Sequence, residues 1–301
     1  MWFNGIVDAI DVAARIYMRL SGKLRPKRIG RTYFGAEVDC DIQDFIQRRI
    51  YYFGIFEPNL SHYIGQRVAP GDHVVDVGAN IGYVTLLASR LVGPGGKVTA
   101  IEASPTTFAK LRENLRLNGT ANVSPVNAAA TGERCLVEIV DGSDRNIGSG
   151  TVRIASGKAR MTVPGTPVSI LIEGDASVSL IKIDIEGSEG PVLDDILANL
   201  PAFPGLKTIA VELSPSSADR LKRFEEAGFT VYALPNNYRI GATLVRAYLD
   251  RSGEGAFVVK HPVAEYSEAF TDYVLERETA TAASEIIRPD VYMRVVPSSA
   301  A

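Results

Sequence analysis

The run Val74-Val75-Asp76-Val77-Gly78-Ala79-Asn80-Ile81-Gly82 reads as an apolar strand entering a tight loop that opens a helix. Glycines such as Gly78 and Gly82 let a backbone approach a ligand closely, and a helix N-terminus offers unpaired N–H groups and a positive dipole end to an anion. Twenty residues after Gly82, Glu102 closes the next strand. In a parallel sheet its carboxylate lands beside the first loop, where it can accept hydrogen bonds from both hydroxyls of a ribose. An adenosine-containing ligand follows. A dinucleotide fingerprint requires G-x-G-x-x-G, whereas here Asn80 stands between Gly78 and Gly82, and Asp76 precedes the first glycine. The Asp76 carboxylate would repel a pyrophosphate, yet can pair with the amino group of a methionine moiety. The spelling therefore favours S-adenosylmethionine over a nicotinamide dinucleotide.

A second cluster, Lys182-Ile183-Asp184-Ile185-Glu186-Gly187, ends another apolar strand, and alternation puts Lys182, Asp184 and Glu186 on one side of it. A buried parallel strand avoids unpartnered charge, so these three are expected to line the cleft at the strand's carboxyl end. Methyl transfer to an alcohol needs the oxygen held in line with the departing sulfur and a base for its proton. Asp184 or Glu186 fits the base, and Lys182 fits the group that holds a carboxylate or orients the acceptor. Glu212, ending the following strand, can join them. Three carboxylates at adjacent strand ends can also bind a divalent ion, although no defining ligand spacing is present. Of the three histidines, none has a sequence partner that marks it as a base.

The elements that must position these groups alternate regularly. Strands are expected at His73–Val77, Lys97–Glu102, Val123–Ala128, Leu180–Ile185, Thr208–Leu213 and Thr230–Leu234. Helices are expected at Ile81–Leu91, Pro105–Leu117, Glu189–Ala198 and Ser216–Ala227. That alternation implies βαβ units in a parallel sheet with right-handed crossovers. Leu136–Val140, Thr151–Ile154 and Val168–Ile172 read as strands of a hairpin insertion. Late strands are expected at Tyr273–Glu276 and Val291–Val296. The domain reading is an N-terminal helical cap over residues 1–70, a catalytic domain over 71–280 and a C-terminal extension over 281–301.

The chain has 301 residues, 46% hydrophobic and 22% charged, with a formal net charge of −3. That composition suits a globular domain and gives the whole chain no electrostatic footprint for nucleic acid. Cys40 and Cys135 match neither a metal-ligand nor a redox spacing, and no apolar run reaches the roughly 18 residues that span a bilayer. A cytoplasmic protein is expected. Trp2, Phe3, Ile6, Val7, Ile10, Ala13, Ala14, Tyr17 and Met18 fall at helical spacing, followed by seven basic residues from Arg15 to Arg31. The bland reading is a packed helix and a solvated basic loop; the alternative is weak peripheral contact of residues 1–31 with an anionic membrane.

The loop Val75–Gly82, Ile101-Glu102-Ala103-Ser104-Pro105, Glu113-Asn114-Leu115-Arg116-Leu117-Asn118-Gly119, Val126-Asn127-Ala128-Ala129 and Lys182–Gly187 together resemble the FkbM family of S-adenosylmethionine-dependent methyltransferases, over about residues 56–234. The resemblance implies an α/β class I methyltransferase (Rossmann-like) fold: a mostly parallel seven-stranded sheet, last strand antiparallel, with helices on both faces. It also implies O-methylation of a hydroxyl on a sugar, glycolipid or polyketide-like metabolite. Glu57-Pro58 resembles a family pair near the cofactor, Asn127 joins the cofactor residues, and Asn146-Ile147-Gly148 resembles an element near the active site. The rival readings are an NAD-dependent oxidoreductase and a non-catalytic adenosine-binding subunit. Oligomeric state has no sequence signal.

Overall fold

The computed structural model describes residues 27–140, 151–154, 162–172, 175–185, 188–213, 219–234, 261–262 and 271–277. It opens on the antiparallel hairpin β1 (Lys27–Arg31) and β2 (Glu37–Asp41), then helices α1 (Phe45–Phe53) and α2 (Pro58–Arg67). The wound core follows as β3 (His73–Val77), α3 (Tyr83–Val92), β4 (Lys97–Glu102), α4 (Pro105–Leu117) and β5 (Val123–Asn127). Next come β6 (Ala129–Ala130), β7 (Cys135–Val140), β8 (Thr151–Ile154), β9 (Thr162–Thr166) and the one-turn helix α5 (Val168–Leu171). The chain returns through β10 (Val178–Ile183), α6 (Glu189–Ala198), β11 (Thr208–Leu213), α7 (Asp219–Glu226), β12 (Phe229–Ala233), β13 (His261–Pro262) and β14 (Thr271–Arg277).

The main sheet runs β13-β12-β14-β11-β10-β3-β4-β5. β5, β4, β3, β10 and β11 are mutually parallel, and β14 is antiparallel to both its neighbours. Leaving out the edge strand β13 and renumbering the other seven along the chain gives the order 3-2-1-4-5-7-6, the class I methyltransferase sheet. Winding reverses between β3 and β10, and ligands bind in the crevice that such a switch point opens at the strands' carboxyl ends. β3 and β10 are buried along their whole length, as suits strands covered on both faces. One core face joins Val38, Ile50 and Tyr63 to Leu86, Leu87 and Leu111; the other packs Val192, Ile196 and Phe224 on Ile181 and Val211.

Three expectations change. The N-terminal cap is not purely helical, since β1–β2 is a strand pair whose alternation hid within the basic run. Its cross-strand partners Lys27↔Asp41, Ile29↔Asp39 and Arg31↔Glu37 set acids against that run, with Arg31 3.7 Å from Glu37. Val168–Ile172 is not a strand: α5 occupies it, and the strand lies earlier, at β9. The insertion is more than a hairpin, because β6, β9, β7 and β8 make a four-stranded sheet. The amphipathic segment 1–20 and the strand expected at 291–296 lie outside the described residues.

Candidate active site

The loop after β3 has the geometry its glycines require. Gly78 has φ +79° and Gly82 φ +96°, both left-handed, and a Cβ on Gly78 would sit 1.8 Å from the carbonyl oxygen of Asp184. Glycine is therefore what lets this loop lie against the end of β10. Asn80, at φ 51°, is a side-chain-bearing residue in the same region, a conformation Asn tolerates better than most. The N–H groups of Gly78 and Ala79 both donate to Ile101 O at 2.9 Å, and Gly82 N–H closes the turn on Ala79 O at 2.9 Å.

Glu102 ends β4 beside this loop. Its Oε2 accepts the Asn80 N–H and its Oε1 the Ser104 N–H, each at 2.9 Å. Burial pushes its pKa up while the two N–H groups and Lys182 pull it back. Each oxygen keeps a further lone pair, so the carboxylate can still accept two hydroxyls. Asn127 donates to the carbonyls of Glu102 and Ala103 at 2.8 and 3.0 Å, bracing the turn that carries Glu102.

Across the switch point, Asp76 of β3 is in register with Lys182 of β10. Asp76 is fully buried: Oδ2 accepts the Thr85 hydroxyl at 2.6 Å, while Oδ1 faces Lys182 Nζ at 3.5 Å and has no hydrogen-bond donor. Lys182, itself buried, lies 3.3 Å from Asp184 Oδ2 and donates to Gly78 O at 3.2 Å. Burial alone would lower its pKa, but Asp184, Asp76 and Glu57 outweigh it and hold the ammonium charged. The expected contact of Asp76 with a ligand's amino group is thus modified, since its carboxylate first meets Thr85 and Lys182.

A cleft at the strand ends is lined by Glu57, Lys182, Asp184, Glu212 and Asp272, with Tyr273 beside them. Glu57 enters α2 at φ 45° with Pro58 behind it, a strained conformation for a long side chain. α2 is anchored by Tyr63 Oη and Arg67, which donate to Glu276 at 2.9 and 2.6 Å. Asp272 was not foreseen: β14 runs opposite to the rest, so its first residues, not its last, arrive at the cleft. Thr85 was legible only as a polar break in the apolar first turn of α3. Glu186 and the segment around Asn146 lie outside the described residues. Among the described residues no three His, Cys, Asp or Glu side chains are grouped to hold a metal ion; the expected carboxylate trio of Asp184, Glu186 and Glu212 includes Glu186, which lies outside them. His62 is buried with its ring 5.6 Å from that of Tyr33, outside the cleft lining.

The sequence profile of the methyltransferase FkbM domain matches residues 76–231, from Asp76 of the glycine loop through β12. The chain belongs to the FkbM methyltransferase domain family. All the site residues above except Glu57 and the β14 pair fall inside the FkbM match. The chain is 42% identical over 79 residues to the 31-O-demethyl-FK506 methyltransferase FkbM of Streptomyces tacrolimicus, covering 26% of this chain and 28% of that protein. It is 46% identical over 57 residues to the protein-L-isoaspartate O-methyltransferase of Aeropyrum pernix, 19% of this chain and 22% of that one. The matches thus span less than a third of either relative. Among solved structures, an FkbM methyltransferase from Methylobacillus flagellatus KT aligns with a TM-score of 0.43 at 15% identity, covering 77% of this chain and 55% of that one. No helix among the described residues is long and apolar enough to cross a membrane.

Proposed function

We propose that this protein transfers a methyl group from S-adenosylmethionine to a hydroxyl oxygen of a sugar, glycolipid or polyketide-like acceptor. The observation that carries the reading is the glycine cradle Gly78–Gly82, with Glu102 at its side, opening at the switch point onto the Lys182–Asp184 pair. The residues fit the ligand: Glu102 keeps acceptor capacity for the ribose hydroxyls, Gly78 lets the loop close against the end of β10, and Asp76 Oδ1 still lacks a donor. The Streptomyces relative, whose name describes methylation at an oxygen of a demethylated FK506, supports a hydroxylated acceptor.

S-adenosylmethionine, when bound, supplies a methyl group on a positively charged sulfur. The protein's part is to hold the acceptor oxygen in line and take its proton. Lys182 fixes Asp184 by one oxygen, leaving the other for the acceptor O–H. Glu57, Glu212 and Asp272 give the same cleft negative potential, which suits a cationic donor. Positioning supplies most of such a rate enhancement, and a general base adds about 10²–10⁴-fold.

Calorimetric titration with S-adenosylhomocysteine and NAD tests the reading. Micromolar binding of S-adenosylhomocysteine, weakened at least about tenfold in Glu102→Ala, is expected, since each tenfold is about 1.4 kcal/mol. Asp184→Asn should keep that affinity and lose roughly a hundredfold or more in turnover. Binding of NAD with no binding of S-adenosylhomocysteine would overturn it.

A further inference from the structure

The hairpin β1–β2 lies before the FkbM match, yet two of the three side chains that close the outer edge of β2 come from within that match. Along β2, the outward N–H of Glu37 donates to Asn118 Oδ1 at 2.9 Å and that of Asp39 to Asn114 Oδ1 at 2.9 Å; the next, of Asp41, meets Gln47 Oε1 at 2.8 Å. Asn118 Nδ2 returns a bond to Glu37 O at 2.6 Å and another to Asn114 O at 2.8 Å. Three carboxamides thus stand where a neighbouring strand would, and the edge has no unmet N–H to offer.

Asn114 does more than close an edge. It is 1% exposed, and its Nδ2 donates at 2.8 Å to Ile81 O, inside the glycine loop. In a trans peptide the C=O and the following N–H point in opposite directions, so a carbonyl held by Asn114 turns the Gly82 N–H onto Ala79 O, the bond that closes the 79–82 turn. One helical turn earlier, Leu111 Cδ1 lies 2.7 Å from where a Gly82 Cβ would be, so α4 supports the loop at two consecutive residues. The Asn80 N–H on Glu102 depends on the same turn.

We propose that Asn114, braced by the Asp39 N–H of β2, is a positioning residue for the cofactor loop. The inference rests on reading Asp76–Gly82 as the S-adenosylmethionine loop. Asn118 supplies the internal control, because it holds the hairpin without touching the loop.

The test titrates S-adenosylhomocysteine into the full chain and its Asn114→Ala and Asn118→Ala variants, with thermal melts alongside. Both variants are expected to melt earlier, but only Asn114→Ala should lose about tenfold in affinity while Asn118→Ala stays within about twofold of wild type. If alanine at 114 prevents folding, Asn114→Asp decides. As a carboxylate, Asp keeps the acceptor for the Asp39 N–H and lacks the donor to Ile81; in its protonated form it regains that donor. Its affinity deficit relative to wild type should therefore shrink between about pH 8 and about pH 5, burial having raised its pKa. Affinity within twofold of wild type for the foldable variant, or a deficit that ignores pH, overturns this inference alone. A wild-type chain that binds no S-adenosylhomocysteine overturns the cofactor reading and this inference together.

Discussion

Lys182 is surrounded by acceptors: Asp76 behind it, Asp184 ahead of it and the carbonyl of Gly78 beside it. A buried ammonium so placed ties the loop after β3 to the end of β10, and the close approach at Gly78 makes that tie available. Gly78→Ala is the sharpest single test. The left-handed φ alone costs an L-residue about 1–2 kcal/mol, and the new methyl would meet the backbone oxygen of Asp184, which cannot rotate away as a side-chain end would. The loop must then lift from β10, separating Glu102 from Asp184. Calorimetry should find S-adenosylhomocysteine affinity reduced at least about tenfold; wild-type affinity in a folded Gly78→Ala protein would sink the argument. These residues were legible in the sequence because their chemistry is local: glycine loop, strand-end acid and charged strand end are each contiguous. Asn114 was visible only as part of a family motif. Its role depends on Ile81 and Asp39, which lie far away along the chain, and no spacing rule encodes that meeting.

At the scale of elements, α5 shows why a local reading fails. Val168, Ile170 and Ile172 are β-branched residues at alternate positions and look like a strand. What makes the segment helical comes from elsewhere: Asp195 of α6 accepts both the Ser169 N–H at 2.9 Å and the Ser169 hydroxyl at 2.5 Å, satisfying an otherwise orphaned donor of the first turn. The capping acid lies on a different helix, so no N-cap pattern could announce it. The same logic hid β1–β2, whose edge partners belong to α1 and α4. Asp195→Ala should leave the half-buried Ser169 N–H and hydroxyl without their acceptor and remove the Asn199 bond to the same carboxylate, and so cost about 1–3 kcal/mol, with little effect on S-adenosylhomocysteine affinity because the contact is remote from the loop. Urea denaturation checks this, and a loss below about 0.5 kcal/mol, the range of ordinary surface substitutions, would mean that α5 holds itself.

Over the whole molecule, the two ends of the parallel strands carry different chemistry. The carboxyl ends form the cleft; at the amino ends a separate polar group sits under the sheet. There His73 is 1% exposed, with Nε2 2.9 Å from the Thr99 hydroxyl and Nδ1 3.0 Å from Asp175, which also pairs with Lys97 at 2.9 Å. Burial holds the His73 pKa below its ordinary 6.5, Lys97 pushing the same way and Asp175 opposing. Asp175 would be raised by desolvation, but its bonds from Ser177 and Lys97 and the charge of His73 take it well below the usual carboxylate range. For His73 the unfolded chain binds a proton at a higher pH than the folded one, so between 6.5 and its lowered value stability rises with pH and is lost on acidification. For Asp175 the stabilisation is present above the unfolded pKa of 3.8 and is lost as pH falls below it. Acid should therefore weaken the fold in two separated steps, His73 first. His73→Gln, which can bond both neighbours without titrating, should remove the upper step and leave the lower one, read as melting temperature across a pH series. An unchanged slope just below pH 6.5 in that variant would assign the upper step to another group. Because this cluster lies at the opposite strand ends from Glu102 and Asp184, the variant's affinity for S-adenosylhomocysteine at neutral pH should match wild type, so that acid lability and ligand binding vary independently.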